Sequence, residues 1–153
     1  VKPVLVVAAT DDGTLNDAVA QMAHERGVFL NRADQSDVSD TDQRGFRDVV
    51  VPATVRDGPV LLAVATGGAS PALSRYLRER FEEEFPNVGA MAELSGTLRA
   101  QLRDDVSPTT RRAAIRAVVR SEQVWKALGD SRRNAEKEAK SVICDVLSAG
   151  GER

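Results

Sequence analysis

The chain opens on Val4 to Ala9 (VLVVAA), a short continuous apolar run rich in valine, which predicts a strand buried on both faces of a parallel sheet. From Thr14 to Arg26 the period changes. Leu15, Ala18, Val19, Met22 and Ala23 fall at i, i+3, i+4, i+7 and i+8, the apolar stripe of an amphipathic helix. Thr14 followed by Asp17 forms a capping box at its start, and Gly27 supplies its stop. Val28 to Leu30 returns as a second short strand, and a strand, helix, strand succession is the unit from which α/β folds are built.

Gln35 to Asp48 is polar and acidic and has no period of either kind, so it reads as a loop long enough to be functional. Val49 to Val55 and Pro59 to Thr66 then flank Arg56, Asp57 and Gly58, which predicts a β-hairpin, with Pro52 marking an edge position. The second strand of that hairpin runs into Gly67, Gly68, Ala69, Ser70 and Pro71, where Ser70 suits the N-cap and Pro71 the first turn of a helix. This helix carries Leu73, Leu77 and Phe81 on one face and ends near Pro86. Beyond Val88 the pattern is helical over 88–104, 108–120, 121–128 and 131–148, punctuated by Ser107-Pro108 and Gly129.

Composition narrows the function classes. At 153 residues, 42% hydrophobic and 29% charged, the chain sits in the folded, globular range. No run approaches the ~18 apolar residues of a membrane span, and no secretory signal precedes the first strand. One cysteine, Cys144, and one histidine, His24, exclude an internal disulfide and a His/Cys zinc cluster, and a cytoplasmic setting is expected. Cys144 is flanked by Val142, Ile143, Val146 and Leu147 and is expected to be buried. Residues 1–70 hold six Lys/Arg against ten Asp/Glu, and residues 71–153 hold fifteen against thirteen, a balance that argues against nucleic acid. Seventeen of the 21 basic residues are Arg, whose planar fork suits carboxylates, although codon bias produces the same count.

The candidate chemistry lies at strand ends. Thr66-Gly67-Gly68-Ala69-Ser70-Pro71 joins a strand to a helix, and it reads either as a tight turn or as a site where backbone amides meet an anion. Thr10 and Asp11 follow the first strand at the end where open α/β sheets bind ligands, and acids there also compensate the helix dipole. Asn31 and Asp34 hold the equivalent place after the second strand. Asp34 is either a general base or a solvated loop acid.

In order and wording, AATDDGTLN, FLNRAD and VVVPATVRDGPVLLAVATGGASPALSRYLRE resemble the precorrin-2 dehydrogenase and sirohydrochlorin ferrochelatase family, the module that forms the N-terminal part of siroheme synthase. GAMAELSGTLRAQL and RRAAIRAVVRSEQVWKAL are similar to its helical region, so the resemblance covers about residues 4–128. It implies an α/β fold with a partial Rossmann-type parallel sheet over residues 1–48, a β-hairpin dimerisation region over 49–85 and a helical C-terminal lobe over 86–153. It further implies oxidation of precorrin-2 to sirohydrochlorin with NAD, ferrous iron as a second substrate in some members, a homodimer, and neither nucleic-acid nor membrane partners. Carried over residue by residue, Asp34 is the catalytic aspartate, Thr10 and Asp11 lie beside the cofactor, and Asn31, Thr66, Gly67, Gly68 and Ser70 line the tetrapyrrole site. No metal ligand is implied.

The chain departs from the family in lacking the glycine-rich first strand-to-helix turn that grips the cofactor's pyrophosphate. A shortened form of a longer protein is therefore expected. Two other readings share the same residues: a chelatase without the redox step, which needs only a tetrapyrrole cleft and a base, and a catalytically silent tetrapyrrole-binding or dimerisation module.

Overall fold

A computed structural model describes residues 3–33 and 48–150, so the loop expected from Gln35 lies outside the described residues except for Asp48. The elements in order are β1 (Leu5–Ala8), α1 (Gly13–Glu25), β2 (Phe29–Arg32), β3 (Ala53–Asp57), β4 (Val60–Val64), α2 (Pro71–Glu84), α3 (Val88–Gln101), α4 (Pro108–Arg120), α5 (Glu122–Asp130) and α6 (Arg132–Gly150). The α/β class, the hairpin and the helical C-terminal part are as expected. The chain divides into two compact units, Val1–Thr54 with Ala63–Arg80 and Val55–Leu62 with Phe81–Arg153.

In the first unit β1 and β2 pair in parallel, Leu5 opposite Phe29 and Val7 opposite Asn31. Successive side chains alternate across the sheet, so Val6, Ala8 and Leu30 share one face, and α1 covers it with Val19, Ala20 and Ala23. Full burial of Leu30 contributes about 2 kcal/mol. The other face is largely open: Leu5, Val7 and Phe29 are exposed and Asn31 alone of its β1 and β2 residues is buried, which corrects the expectation of a strand buried on both sides. A single helix shields only one side of a two-stranded sheet.

Helix α1 is also rotated from its expected face. Asn16, Ala20 and Ala23 are buried and Val19 is half-buried, whereas Leu15 and Met22 are exposed. Small side chains let the helix lie close to the sheet, and Asn16 is drawn inward by hydrogen bonds described below. The cap is Asp12 rather than Thr14. Its carboxylate accepts from the amides of Thr14 and Leu15 at 2.9 and 3.2 Å.

Strand β3 begins at Ala53 because Pro52 has no N–H to give to a ladder. Arg56 and Asp57, expected in the turn, belong to the strand, and Gly58-Pro59 alone make the connection to β4. At the start of α2, the Ser70 hydroxyl accepts from the Leu73 amide at 3.2 Å and Pro71 takes the first helical position, as expected.

The second unit is built on helices α3 to α6. Leu94, Leu98, Val118 and Val124 form its interior, and Ala114, Ala135 and Ala139, all fully buried, let the helices approach closely. Ser107 and Ser121 cap α4 and α5 by accepting from Thr110 and Val124. Gly129 does not stop α5, which continues to Asp130. The lone tryptophan, Trp125, donates its indole N–H to the Val119 carbonyl at 2.8 Å and meets Phe85 edge-on with ring centres 6.2 Å apart. Cys144 is exposed, correcting the expected burial, because the inward face of α6 runs through Ala135, Ala139 and Ile143.

One long-range cap lies within this unit, between Asp57 of the hairpin and the start of α3. Asn87 precedes α3 in a left-handed conformation and offers its helix no side-chain bond. The Asp57 carboxylate of β3 supplies it instead, accepting from the Gly89 amide at 2.8 Å. A Cβ at Gly89 would sit 2.5 Å from the Asp57 carbonyl oxygen and 2.8 Å from its carbon, so the helix start and the hairpin backbone touch only because residue 89 is glycine. Gly89→Ala is expected to destabilise the protein by about 1–3 kcal/mol through forced separation. Asp57→Ala should cost about 1 kcal/mol through the lost cap. Chemical denaturation of both variants and the double mutant checks this, and the double mutant should lose less than the sum because both act on one contact.

Candidate functional site

The turn between β4 and α2 is organised by one hydroxyl. Thr66 Oγ1 donates to the Ser70 carbonyl at 3.0 Å and accepts from the Ser70 amide at 3.1 Å and from Ser74 Oγ at 3.2 Å. One donor and two acceptor positions are all that a hydroxyl has. The Ala69 amide closes the turn onto the Thr66 carbonyl at 3.1 Å, and the two central residues, Gly67 and Gly68, have φ of 63° and 88°. A turn with two positive φ values requires glycine or a close substitute at both places. The glycine pair is thus explained by backbone geometry, with Ser74, buried on α2, completing the network.

At the end of β2 the chain returns to the sheet through a four-bond clasp. Leu30 donates its amide to the Asp48 carboxylate at 2.9 Å, and the Leu30 carbonyl accepts from the amides of Asp48 and Val49 at 2.9 and 3.0 Å. The Asn31 side chain adds a bond from Nδ2 to the Val49 carbonyl at 2.7 Å. Arg32 turns to the other face, buried, and pairs with Asp17 of α1.

The clasp and the turn frame one cavity of about 390 Å3 within the first unit. Its walls include Val50, Val51, Pro52, Val64 and Ala65, and its polar lining includes Asn31, Thr66, Ser74 and Arg75. Among the described lining residues there are two arginines, Arg32 and Arg75, and no acid. The guanidinium of Arg75 is largely exposed and engages Glu79 through Nε at 2.9 Å. Such a surface pair is worth little and yields readily to another carboxylate. An apolar cleft edged with Arg and uncharged hydrogen-bonding groups suits a flat, largely apolar molecule that carries carboxylates.

Thr10 and Asp11 stand apart from this cavity, at the end of β1. Thr10 is held by Asn16: its amide and hydroxyl both donate to Asn16 Oδ1, at 3.3 and 2.8 Å, and Asn16 Nδ2 donates back to the Thr10 carbonyl at 2.9 Å. Asn16 is fully buried. Asp11 is exposed beside this fixed turn.

Of the residues expected at a site, the structure therefore brings Asn31, Thr66 and Gly68 to one cavity, while Gly67 and Ser70 build its turn. Asp34 lies outside the described residues and follows Ala33 directly. Among the described residues no cluster of His, Cys, Asp or Glu could hold a metal ion. Sequence reasoning missed Asn16, Ser74 and Arg75. The signal for Asn16 was a polar residue within the apolar helix. Those for Ser74 and Arg75 were their places one turn beyond Ser70 and Pro71.

Residues 2–53 match the family described as "Putative NAD(P)-binding". The chain is 41% identical over 110 residues to a siroheme synthase of Methylococcus capsulatus, covering 71% of this chain and 22% of that one. It is 29% identical over 151 residues to siroheme synthase 2 of Klebsiella pneumoniae, covering 97% and 31%. Among solved structures it resembles SirC, precorrin-2 dehydrogenase, with a TM-score of 0.53 at 18% identity, over 91% of this chain and 82% of that one. The chain is thus similar in sequence to part of the siroheme synthases and similar in fold to a precorrin-2 dehydrogenase. It spans about a fifth to a third of the length of the siroheme synthases it matches.

The turn after β1 is held both by Asn16 and by local bonds between Thr10 and Asp12. Asn16→Leu keeps the volume and removes every hydrogen bond to Thr10, and it is expected to cost about 1–3 kcal/mol. Urea denaturation measures the loss. Hydrogen exchange should localise the loosening to residues 9–12, with the α3–α6 helices unchanged.

Proposed function

We propose that this chain oxidises precorrin-2 to sirohydrochlorin with NAD, in the cytoplasm. The observation that carries the reading is the cavity at the end of β2, whose apolar walls, Arg75 and Asn31 suit the edge of a polycarboxylated tetrapyrrole. The N-terminus of α2 opens beside it at Pro71, so the positive end of that helix favours the substrate's carboxylates.

Oxidation removes a hydride and a proton from the macrocycle. Asp34 is assigned the proton, because a carboxylate after the last residue of a parallel strand meets a ligand laid across the strand ends. Thr66, Gly67, Gly68 and Ser70 are assigned to the floor of the substrate site, where Thr66 contributes shape because its hydroxyl is fully used within the turn. Bound nicotinamide supplies the hydride acceptor.

The described residues fit only part of a dinucleotide. The first amides of α1 are taken by the Asp12 carboxylate, so this helix start does not fit a pyrophosphate. Asp11 and the fixed Thr10 fit a ribose, whose hydroxyls a free carboxylate accepts. Ferrous iron is proposed as a second substrate, inserted as two pyrrole protons leave. Leu73, Tyr76 and Leu77 form an exposed apolar stripe on α2 and support assembly as a homodimer.

An absorbance titration with sirohydrochlorin tests the reading. A saturable shift near one ligand per chain is expected, and no shift from a folded chain would overturn it. Asp34→Asn should lower the rate of precorrin-2 oxidation by about 100-fold or more while leaving that titration nearly unchanged. Equal rates would remove Asp34 from its role.

A further inference from the structure

On two of the helices an arginine is answered one turn further on by an acid. Arg75 pairs with Glu79 on α2 and Arg132 with Glu136 on α6, each at i, i+4. Helix α4 departs from this habit. It carries Arg111, Arg112, Arg116 and Arg120 and no acid along its length, its first turn included. Ala114 and Val118 turn one side of it into the core, fully buried. The opposite side is exposed, and on it stand Arg112, Arg116 and Arg120 at i, i+4 and i+8, with Thr109, Ala113 and Val119 beside them. The helical rise places the three arginines in a row with about 6 Å between neighbours. Like charges at that spacing repel one another. Among the described residues none of the three makes an ion pair, and Arg112 has only a long bond to Thr109 Oγ1, at 3.4 Å. The positive end of the helix dipole adds to the charge at the Arg112 end, where no acid offsets it. In a chain of net charge -2 the row is a local concentration of positive charge.

We infer that the exposed face of α4 is a docking surface for an acidic helical segment of another protein, whose carboxylates lie along the arginine row. Glutamates at i, i+4 and i+8 of a helix repeat at the same spacing as the arginines, so three pairs form in register. Each guanidinium can take a carboxylate through two parallel hydrogen bonds. Val119, 40% exposed at the margin of the row, gives an apolar residue of the segment a place to sit. The charge favours a short protein segment over a nucleic acid. Three arginines neutralise few phosphates, and a long polyanion also meets the rest of a net-negative chain, whereas a short segment meets the row alone. Nor does the face suit a membrane, because its largest exposed apolar side chain is Val119 and a helix that lies in a membrane surface inserts a broad apolar face.

Fluorescence anisotropy with the full chain at physiological ionic strength tests this. The probes are a labelled synthetic helical peptide with glutamates at i, i+4 and i+8 and a leucine alongside, the same peptide with glutamines, and a labelled oligouridylate RNA. Cosedimentation with phosphatidylglycerol vesicles completes the set. The glutamate peptide should bind about tenfold or more tightly than the glutamine peptide. The variant Arg112→Gln/Arg116→Gln/Arg120→Gln should erase that difference. The control Arg133→Gln/Lys137→Gln/Lys140→Gln removes the same charge from exposed positions of α6 and should change the affinity by no more than about twofold. The α4 variant should melt at the same temperature as the unaltered chain or higher, since it loses only like-charged neighbours, and should respond to sirohydrochlorin as the unaltered chain does. Equal binding of the two peptides, equal loss in the α6 control, or preference for the RNA or the vesicles over the glutamate peptide would overturn the inference. A lower melting temperature, or an altered response to sirohydrochlorin, would assign the arginines to the fold or to the cavity and overturn it as well.

Discussion

The four hydrogen bonds that fasten Asp48 and Val49 to Leu30 and Asn31 are the constraint on which the first unit depends. β2 would otherwise end with unpaired backbone groups on its outer edge, and the chain would have no fixed direction on leaving residue 48. With the clasp closed, Val50, Val51 and Pro52 are delivered as a wall of the cavity, and β3 starts from a defined point. Two of the four bonds use side chains, Asp48 and Asn31, so the clasp is written into particular residues and not only into backbone geometry.

The same division of labour appears at the ends of β1 and β4. Thr66 spends its hydroxyl on Ser70 and Ser74, and Asn16 spends its amide on Thr10. In each case a polar side chain holds backbone in a shape that neighbouring groups can use. The polar groups that line the cavity, Asn31, Thr66, Ser74 and Arg75 among them, are few and differ in chemistry. A small number of placed polar groups in an apolar cleft is how specificity is usually obtained.

Much of this was legible in the sequence. The valine-rich opening, the Gly67-Gly68 turn with Ser70 and Pro71 after it, and the serine caps at Ser107 and Ser121 are local signals, and local signals survive folding. The face of α1 was not legible by periodicity, because Asn16 is buried by hydrogen bonding to a residue outside its helix, which an apolar stripe cannot encode. The cap on α3 lay hidden for a related reason: its donor and its acceptor, Gly89 and Asp57, are 32 residues apart. Asp34 drew its role from family resemblance, since one aspartate after a short strand has no pattern of its own.

The chain's single tryptophan and single tyrosine fall in different units. Trp125, edge-on to Phe85 in the helical unit, dominates the intrinsic fluorescence, while Tyr76 stands exposed on α2 in the unit that holds the cavity. Emission on excitation of the indole is therefore an optical record of the unit that holds Trp125. Far-ultraviolet dichroism sums over the helices of both units, α1 and α2 included, so a fluorescence melt follows one unit and a dichroism melt follows both.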